Sequence, residues 1–219
     1  AKKYLEGRGL WNPEILKRHK VGFSAGNLQD IVGADQRSQL VALGVLKESG
    51  KEHFARCIVV PLFDEAEHVA GFYGRRIDEN ATPAHLYLPG PHCGLVNRAA
   101  ARAYRDRLIL TEAVFDAFAL EALGFLNVIP CYGANGFSVE NEKLIRDERV
   151  QEVVLAFDAD EAGRKGAQAV IKKLAAQSIS TKAIEPPKGK DWNEFLLAGG
   201  TKDTVESAIL SSTITPEVE

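Results

Sequence analysis

Two acidic clusters about forty-five residues apart each close an apolar run that reads as a buried strand. In LILTEAVFDAFALEALG (108–124) Glu112 ends the run and Asp116 follows four residues later. In VVLAFDADEAGRKGAQAV (153–170) Asp158 and Asp160 stand at the strand end and Gly163 opens a helical stretch. Unpaired carboxylates are costly to bury, so four of them converging on one sheet edge call for a cation. An all-oxygen set selects a hard ion, magnesium or manganese. The small Ala159 lets the backbone turn so that Asp158 and Asp160 point into one cavity, and Gly163 lets the next helix pack close to the sheet. Such an ion leaves room for phosphate oxygens, which points to phosphoryl-transfer chemistry. Taken singly, Asp160 can also cap a helix starting near Glu161, and Glu112 with Asp116 can cap the helix at 114–123. The two clusters together, both at strand ends, favour a joint site.

The elements that must hold these residues follow from periodicity. The second half reads as strand 107–111, helix 114–123, strand 126–131, helix 138–147, strand 152–157, helix 161–177 and strand 179–184. Strands alternating with helices of this length give right-handed crossovers and a parallel, Rossmann-like sheet with helices on both faces. Ligands bind beyond the carboxyl ends of such strands, where Glu112, Asp158 and Asp160 fall. The first half reads as mixed α+β, with helices at 1–8, 13–18 and 36–43 and a polar turn at Ser24–Asn27. CIVVPLF (57–63) and HVAGFYGRR (68–76), separated by the acidic turn Asp64–Glu67, read as an antiparallel hairpin. A Pro- and Gly-rich stretch from Thr82 to Gly94 leads into a helix at 95–105. The fold class is thus α/β, divided near residue 106 into a first domain, 1–106, and a second, 107–219.

The 219 residues, 45% hydrophobic and 26% charged, suit one large domain or two small ones with a real core. No apolar run approaches a membrane span and AKKYLEGRGL has no signal-like apolar region, so a soluble, cytoplasmic protein is expected. Cys57, Cys93 and Cys131 are far apart and lack metal-pair spacing, and His92 beside Cys93 has no partner pair, so neither a disulfide framework nor a zinc site is expected. Through Arg107 there are 16 Lys and Arg against 12 Asp and Glu; beyond it there are 11 against 18. A basic half beside an acidic half suits a phosphate-binding surface next to a cation-binding one. The chain opens on Ala1 and contains no Met, so a processed form or a piece of a longer protein is expected. No repeat or low-complexity tract is present, and only about the last eight residues read as a tail.

Glu112 after one strand and Asp158-Ala159-Asp160-Glu161-Ala162-Gly163 after another resemble the Toprim fold of bacterial primases, type IA and II topoisomerases and certain nucleases. YLEGRGL (4–10), Arg56 with IVVPLFDEAEHVAGFYGRR (58–76), and a Pro-rich link into GLVNRAAARA (94–103) resemble, in order and spacing, the catalytic core of DnaG-type primases. The resemblance spans nearly the whole chain. It implies synthesis of short RNA primers on single-stranded DNA from ribonucleoside triphosphates, with Mg2+ or Mn2+ as cofactor. Glu112, Asp158 and Asp160 correspond to catalytic positions, with Asp116 and Asp191 joining them as metal-binding positions. Glu112 either shares a metal or acts as general base. Arg56, Arg75 and Arg76 correspond to positions facing nucleotide or nucleic acid, and Lys2, Lys3, Lys17, Arg18 and Lys20 could track phosphate backbone.

The chain departs from the family pattern in places. In GKDWNEFL (189–196) Asp191 matches a late motif of two aspartates, but Asn193 replaces the second, leaving its carbonyl oxygen or Glu194 to substitute. Ala84-His85 and PGPHCG (89–94) stand where the replicative family carries lysines, which implies a divergent primase of mobile-element or phage type. The family's zinc-binding domain and replicative-helicase partner are expected outside this chain. Two other readings keep the fold: a catalytically weak DNA- or partner-binding module, and a Toprim nuclease using the same carboxylates with water as nucleophile. A topoisomerase needs a separate tyrosine-bearing domain, for which the length leaves little room.

Overall fold

The structure is a computed structural model, and it describes residues 1–78 and 80–212. Residues 213–219 of the expected tail lie outside the described residues. The first elements are α1 (Lys2–Gly7), α2 (Pro13–Arg18), β1 (Gly22–Phe23), α3 (Leu28–Ile31), α4 (Ala34–Ala42), β2 (Cys57–Phe63), β3 (Val69–Arg76) and β4 (His85–Tyr87). They are followed by α5 (Ala99–Ala103), β5 (Arg107–Thr111), α6 (Val114–Ala122), β6 (Val128–Pro130), α7 (Val139–Asp147), β7 (Glu152–Ala156), α8 (Glu161–Ala175), β8 (Ser180–Ile184), α9 (Trp192–Leu197) and α10 (Lys202–Ser211).

Two compact units emerge, one from residues 1–5 and 16–96 and the other from 6–15 and 97–219. They do not coincide with the division near residue 106 drawn from sequence. The Arg-rich segment around α5 belongs with the second unit, where Arg98 pairs with Glu140 at 3.2 Å and Arg102 and Arg105 both pair with Glu148. The helix expected over 95–105 is only Ala99–Ala103. Gly94 (φ +82°) and Asn97 (φ +55°) interrupt helical geometry, and Leu95 exchanges two backbone hydrogen bonds with Phe63 instead.

The first unit is a four-stranded antiparallel sheet in the order β1-β2-β3-β4. The expected hairpin is its centre, with Ile58 opposite Arg75 and Val60 opposite Tyr73. Ile58, Val60, Leu62 and Tyr73 are buried with Phe54 and Leu46. Strands β1 and β4 were not expected. They have two and three residues with no fully buried position, too little for an alternation to show. The buried Glu52 ties the unit's irregular part together, its carboxylate accepting from the Ser24 hydroxyl and the Leu28 N–H at the start of α3.

In the second unit a parallel sheet runs in the order β6-β5-β7-β8. Leu108, Ile109 and Leu110 of β5 and Val153, Val154 and Leu155 of β7 have no solvent exposure, as continuous apolar runs in a sheet covered on both faces should. Helix α8 buries one stripe, Gly163, Gly166, Ala167, Val170, Ile171 and Leu174, at helical spacing. Helix α6 buries eight consecutive residues, Val114 to Glu121, and packs against α9. Neither α9 nor α10 was among the elements expected from sequence. No helix among the described residues is long and apolar enough to cross a membrane.

Candidate active site

The sheet order has a direct consequence for ligand binding. The chain leaves β5 toward β6 on one side and leaves β7 toward β8 on the other, so the carboxyl ends of β5 and β7 border a crevice at a topological switch point. Glu112 is the first residue after β5, and Asp158 lies two residues after β7. They meet there: Glu112 Oε1 accepts the Asp158 N–H at 2.9 Å. Asp116, in the first turn of α6, is 6% exposed, and the Asn193 backbone N–H favours its charged form. Asp160 caps α8 by accepting the Gly163 N–H at 2.8 Å, and Asp191 caps α9 by accepting the Glu194 N–H at 2.6 Å. Asp160 therefore does serve as a helix cap while remaining beside the other acids.

Backbone bonds hold the two acidic turns side by side. The Ala159 N–H donates to the Lys190 carbonyl at 2.8 Å, and the fully buried Trp192 donates its Nε1–H to the Ala156 carbonyl at 2.8 Å. Asp191 is thereby brought to the turn carrying Asp158 and Asp160. A Cβ on Gly163 would lie 2.3 Å from the Asp158 carbonyl oxygen and 2.6 Å from Glu112 Oε1, so a side chain there would displace one or the other.

The electrostatics reflect this crowding. Burial pushes the Glu112 carboxyl above its usual range, the Asp158 N–H opposes the shift and the Asp160 charge adds to it. Asp116 is pushed well up, first by burial and then by the charges of Asp158, Asp191 and Glu112, against the Asn193 N–H. Asp158 is pushed up to about 7 by burial, with Glu112, Asp191, Asp160 and Glu194 adding repulsion. Behind them the buried Cys131 thiol is raised to about 12, by burial and then by Glu112. Carboxylates that raise one another's proton affinity lack a positive charge.

A divalent cation fits this donor set. Asp158 Oδ1 is buried without a hydrogen-bond partner among the described residues, an arrangement unfavourable for a carboxylate unless a cation meets it. As the side chains stand, no group of three His, Cys, Asp or Glu among the described residues is arranged to hold a metal ion. Asp116, Asp158, Asp160 and Asp191 are the residues that would hold one, with Glu112 either sharing it or serving as a base.

Asn193 directs its side chain to Arg8. It is 3% exposed, its Oδ1 accepts from Arg8 Nη1 at 3.0 Å, and its Nδ2 donates to the Arg8 carbonyl at 2.7 Å. Glu194, the other substitute considered, accepts the Lys190 N–H at 2.8 Å and contributes charge to Asp158. Sequence reasoning missed Arg8 and Trp192. Trp192 lies inside the recognised GKDWNEFL segment, where a large apolar residue between polar ones was a usable signal. Arg8 is 185 positions from Asn193, and no local pattern links them.

The three arginines gather at one end of the β2–β3 hairpin of the first unit, but not on one face. Arg75 pairs with Ile58 and Arg76 with Cys57, and consecutive strand residues point to opposite sides. Arg75 donates from Nε to the Tyr4 hydroxyl at 3.0 Å and from Nη1 to His85 Nε2. His85 Nδ1 in turn lies 3.0 Å from the Tyr73 hydroxyl. Arg56 is exposed and takes a left-handed backbone, φ +60°, just before β2. A non-glycine residue there costs about 1 kcal/mol, and such residues cluster at functional sites. Arg56→Gly should therefore gain about 0.5–1 kcal/mol in chemical denaturation; an unchanged or lowered midpoint would mean that the left-handed backbone at this position carries no strain.

Comparison with known proteins agrees with this architecture. Residues 1–93 match the family model for the DNA primase catalytic core, N-terminal domain, and residues 109–196 match a Toprim-like family model. The chain is 25% identical over 214 residues to the DNA primase of Clostridium acetobutylicum, covering 91% of this chain and 35% of that one. It thus spans about a third of the length of that relative. A DnaG catalytic core superposes with a TM-score of 0.80 at 23% identity, over 96% of this chain and 72% of the other. A DnaG primase catalytic domain bound to ssDNA does so with a TM-score of 0.79 at 23% identity, over 97% and 73%. At that identity the superpositions show a shared fold. With the first half matched by the primase catalytic-core model and the second, which holds the crevice acids, by the Toprim-like model, the chain belongs to the DnaG-type primase catalytic-core family.

Proposed function

We propose that this chain is a primer-synthesising core: it binds single-stranded DNA through the first unit and joins ribonucleotides at the carboxyl edge of the Toprim sheet. The observation that carries this reading is the Glu112–Asp158 contact across the switch-point crevice, with Asp160 and Asp191 close enough to perturb Asp158 and with Asp116 perturbed by Asp158, Asp191 and Glu112. A 3′-hydroxyl oxygen attacks the α-phosphorus of an incoming nucleoside triphosphate, forming a phosphodiester bond as the bond to pyrophosphate breaks. Magnesium or manganese, when bound, supplies the positive charge that lets these carboxylates ionise together and offsets charge on the phosphoryl oxygens.

The chain's own residues divide the remaining work. Asp158, with its unpartnered Oδ1, and Asp160 form the centre of the cation site, and Asp116 and Asp191 extend it. Glu112 uses one oxygen to hold the Asp158 backbone and keeps the other to take the hydroxyl proton. Its raised proton affinity suits a general base better than an ordinary surface carboxylate. Arg56, Arg75 and Arg76 serve template or triphosphate. A zinc-binding domain and a replicative helicase would act from outside this chain.

The test is template-directed synthesis with labelled ribonucleotides, single-stranded DNA, and magnesium or manganese, beside an Asp158→Ala, Asp160→Ala double variant. Metal-dependent oligonucleotides from the wild type alone are expected. Shortening of labelled DNA with manganese and no nucleotides would indicate a nuclease instead. Salt-sensitive DNA binding with no product would indicate a binding module.

A further inference from the structure

We infer that Arg8 is a positioning residue for the acidic site, acting through Asn193, and that position 193 in this chain is a clamp and not a cation ligand. The inference rests on the cation site proposed above but concerns different residues.

Asn193 is held from two directions. Its side chain makes a two-point clasp with Arg8, accepting from Nη1 at 3.0 Å and donating to the carbonyl at 2.7 Å. Its helix, α9, packs against α6, which carries the buried Asp116. With the residue 3% exposed, both ends of its amide are committed inside the protein. Asp191 lies two residues earlier, on the α9 cap, and contributes charge to both Asp116 and Asp158. Fixing residue 193 therefore bears on two acids at once: Asp116 through the packing of α9 on α6, and Asp191 by the short backbone between them.

Arg8 is suited to be the fixed end of this clamp. Leu10, two residues on, is 1% exposed, and the intervening Gly9 lies against Leu196 and Leu197 of α9. The Arg-Gly-Leu turn thus packs on the same helix that Asp191 caps. Trp192 and the Ala159-to-Lys190 bond hold the other side of this segment to the Asp158 turn. Arg8 closes the frame at Asn193, which those bonds do not hold. Its guanidinium has no need to touch the cation to decide where two of its ligands stand, as partners of ligating side chains commonly do.

The test is Mn2+ binding by the full chain without nucleotide, read from the free-ion electron paramagnetic resonance signal and paired with thermal midpoints of the metal-free proteins. Arg8→Ala should weaken Mn2+ binding about tenfold or more, the usual consequence of losing a residue that orients a ligand. Arg8→Lys should recover part of the loss, because one N–H can still reach Asn193 Oδ1. Asn193→Asp keeps a partner for the Arg8 guanidinium but sets an oxygen where Nδ2 donated to the Arg8 carbonyl, so it should bind Mn2+ no more tightly than the wild type. A lowered midpoint in Arg8→Ala with unchanged Mn2+ affinity would make Arg8 merely structural and overturn the inference. So would an Asn193→Asp variant that binds Mn2+ about tenfold tighter, since added ligand charge raises affinity where a residue coordinates. Should Arg8→Ala fail to fold, the Lys and Asp variants decide the matter alone. An Asp158→Ala reference keeps the two readings apart: wild-type binding that does not depend on Asp158 defeats the cation-site reading itself, whereas Asp158-dependent binding indifferent to Arg8 defeats only this one.

Discussion

Asp158→Asn should abolish nucleotide joining and at the same time stabilise the metal-free protein above pH 7. The first effect follows from the site: Asp158 is the acid whose Oδ1 is buried and unpartnered and whose backbone is gripped by Glu112. Losing one charge-stabilising group of this kind commonly costs about 100- to 1,000-fold in turnover. The second follows from the sign of the pKa shift. The Asp158 carboxyl is raised from 3.8 to about 7, so folding favours its protonated form. The stability it contributes is complete below about pH 4 and is lost as pH rises through about 7. Wild-type protein in chelator should therefore show a falling thermal midpoint between pH 5 and pH 8, and the Asn variant a flatter profile. Adding Mg2+ or Mn2+ at pH 8 should restore the wild type and leave the variant unmoved. A wild-type midpoint that does not respond to either ion would defeat the cation site. Equal activity of the two proteins would remove Asp158 from the chemistry.

Gly163→Ala should damage fold and activity together, although alanine is ordinarily the better helix residue. In an open helix the exchange would gain about 1 kcal/mol. Here the new methyl would lie 2.3 Å from the Asp158 carbonyl oxygen and 2.6 Å from Glu112 Oε1, both on the turns that form the crevice. Relief requires α8 to move off the sheet or the Asp158 turn to shift, and overpacking of this kind costs about 1–3 kcal/mol. A shift of about 1 Å at reacting groups can cost about 100-fold in rate, so activity should fall by at least that order. Denaturation and synthesis measured on the same preparation check both effects. A stabilised, fully active Gly163→Ala variant would mean that the helix does not approach the acids this closely. Gly166, whose Cβ would lie 2.2 Å from the Ala134 carbonyl, should be nearly as intolerant in stability and less so in rate.

Much of this architecture was written locally. The strands at 107–111 and 152–157 were legible because each is a run of consecutive apolar residues, and such runs are what a sheet buried on both faces requires. Helix α8 was legible because its buried residues recur at helical spacing over fifteen residues. The positions of Glu112, Asp158 and Asp160 followed from the strands they end. By contrast β1 and β4, with two and three residues, exist only because β2 and β3 offer edges to pair with. The expected helix over 95–105 lost its first turn for the same kind of reason, since Leu95 joins Phe63 on a sheet whose position local sequence cannot reveal.

The amino-acid sequence by itself determined where the acids gather, because acids placed after buried strands must end at one edge of a parallel sheet whatever the rest of the chain does. It also determined the family, through motifs whose order and spacing are local. Which acids meet was decided by tertiary structure. The order β6-β5-β7-β8 makes β5 and β7 neighbours and so joins Glu112 to Asp158 across 46 residues. The burial of Trp192 and the clasp between Arg8 and Asn193 decide where Asp191 and Asp116 stand. Those contacts depend on the distance between residues in space, and a separation of 185 positions along the chain carries no trace of it.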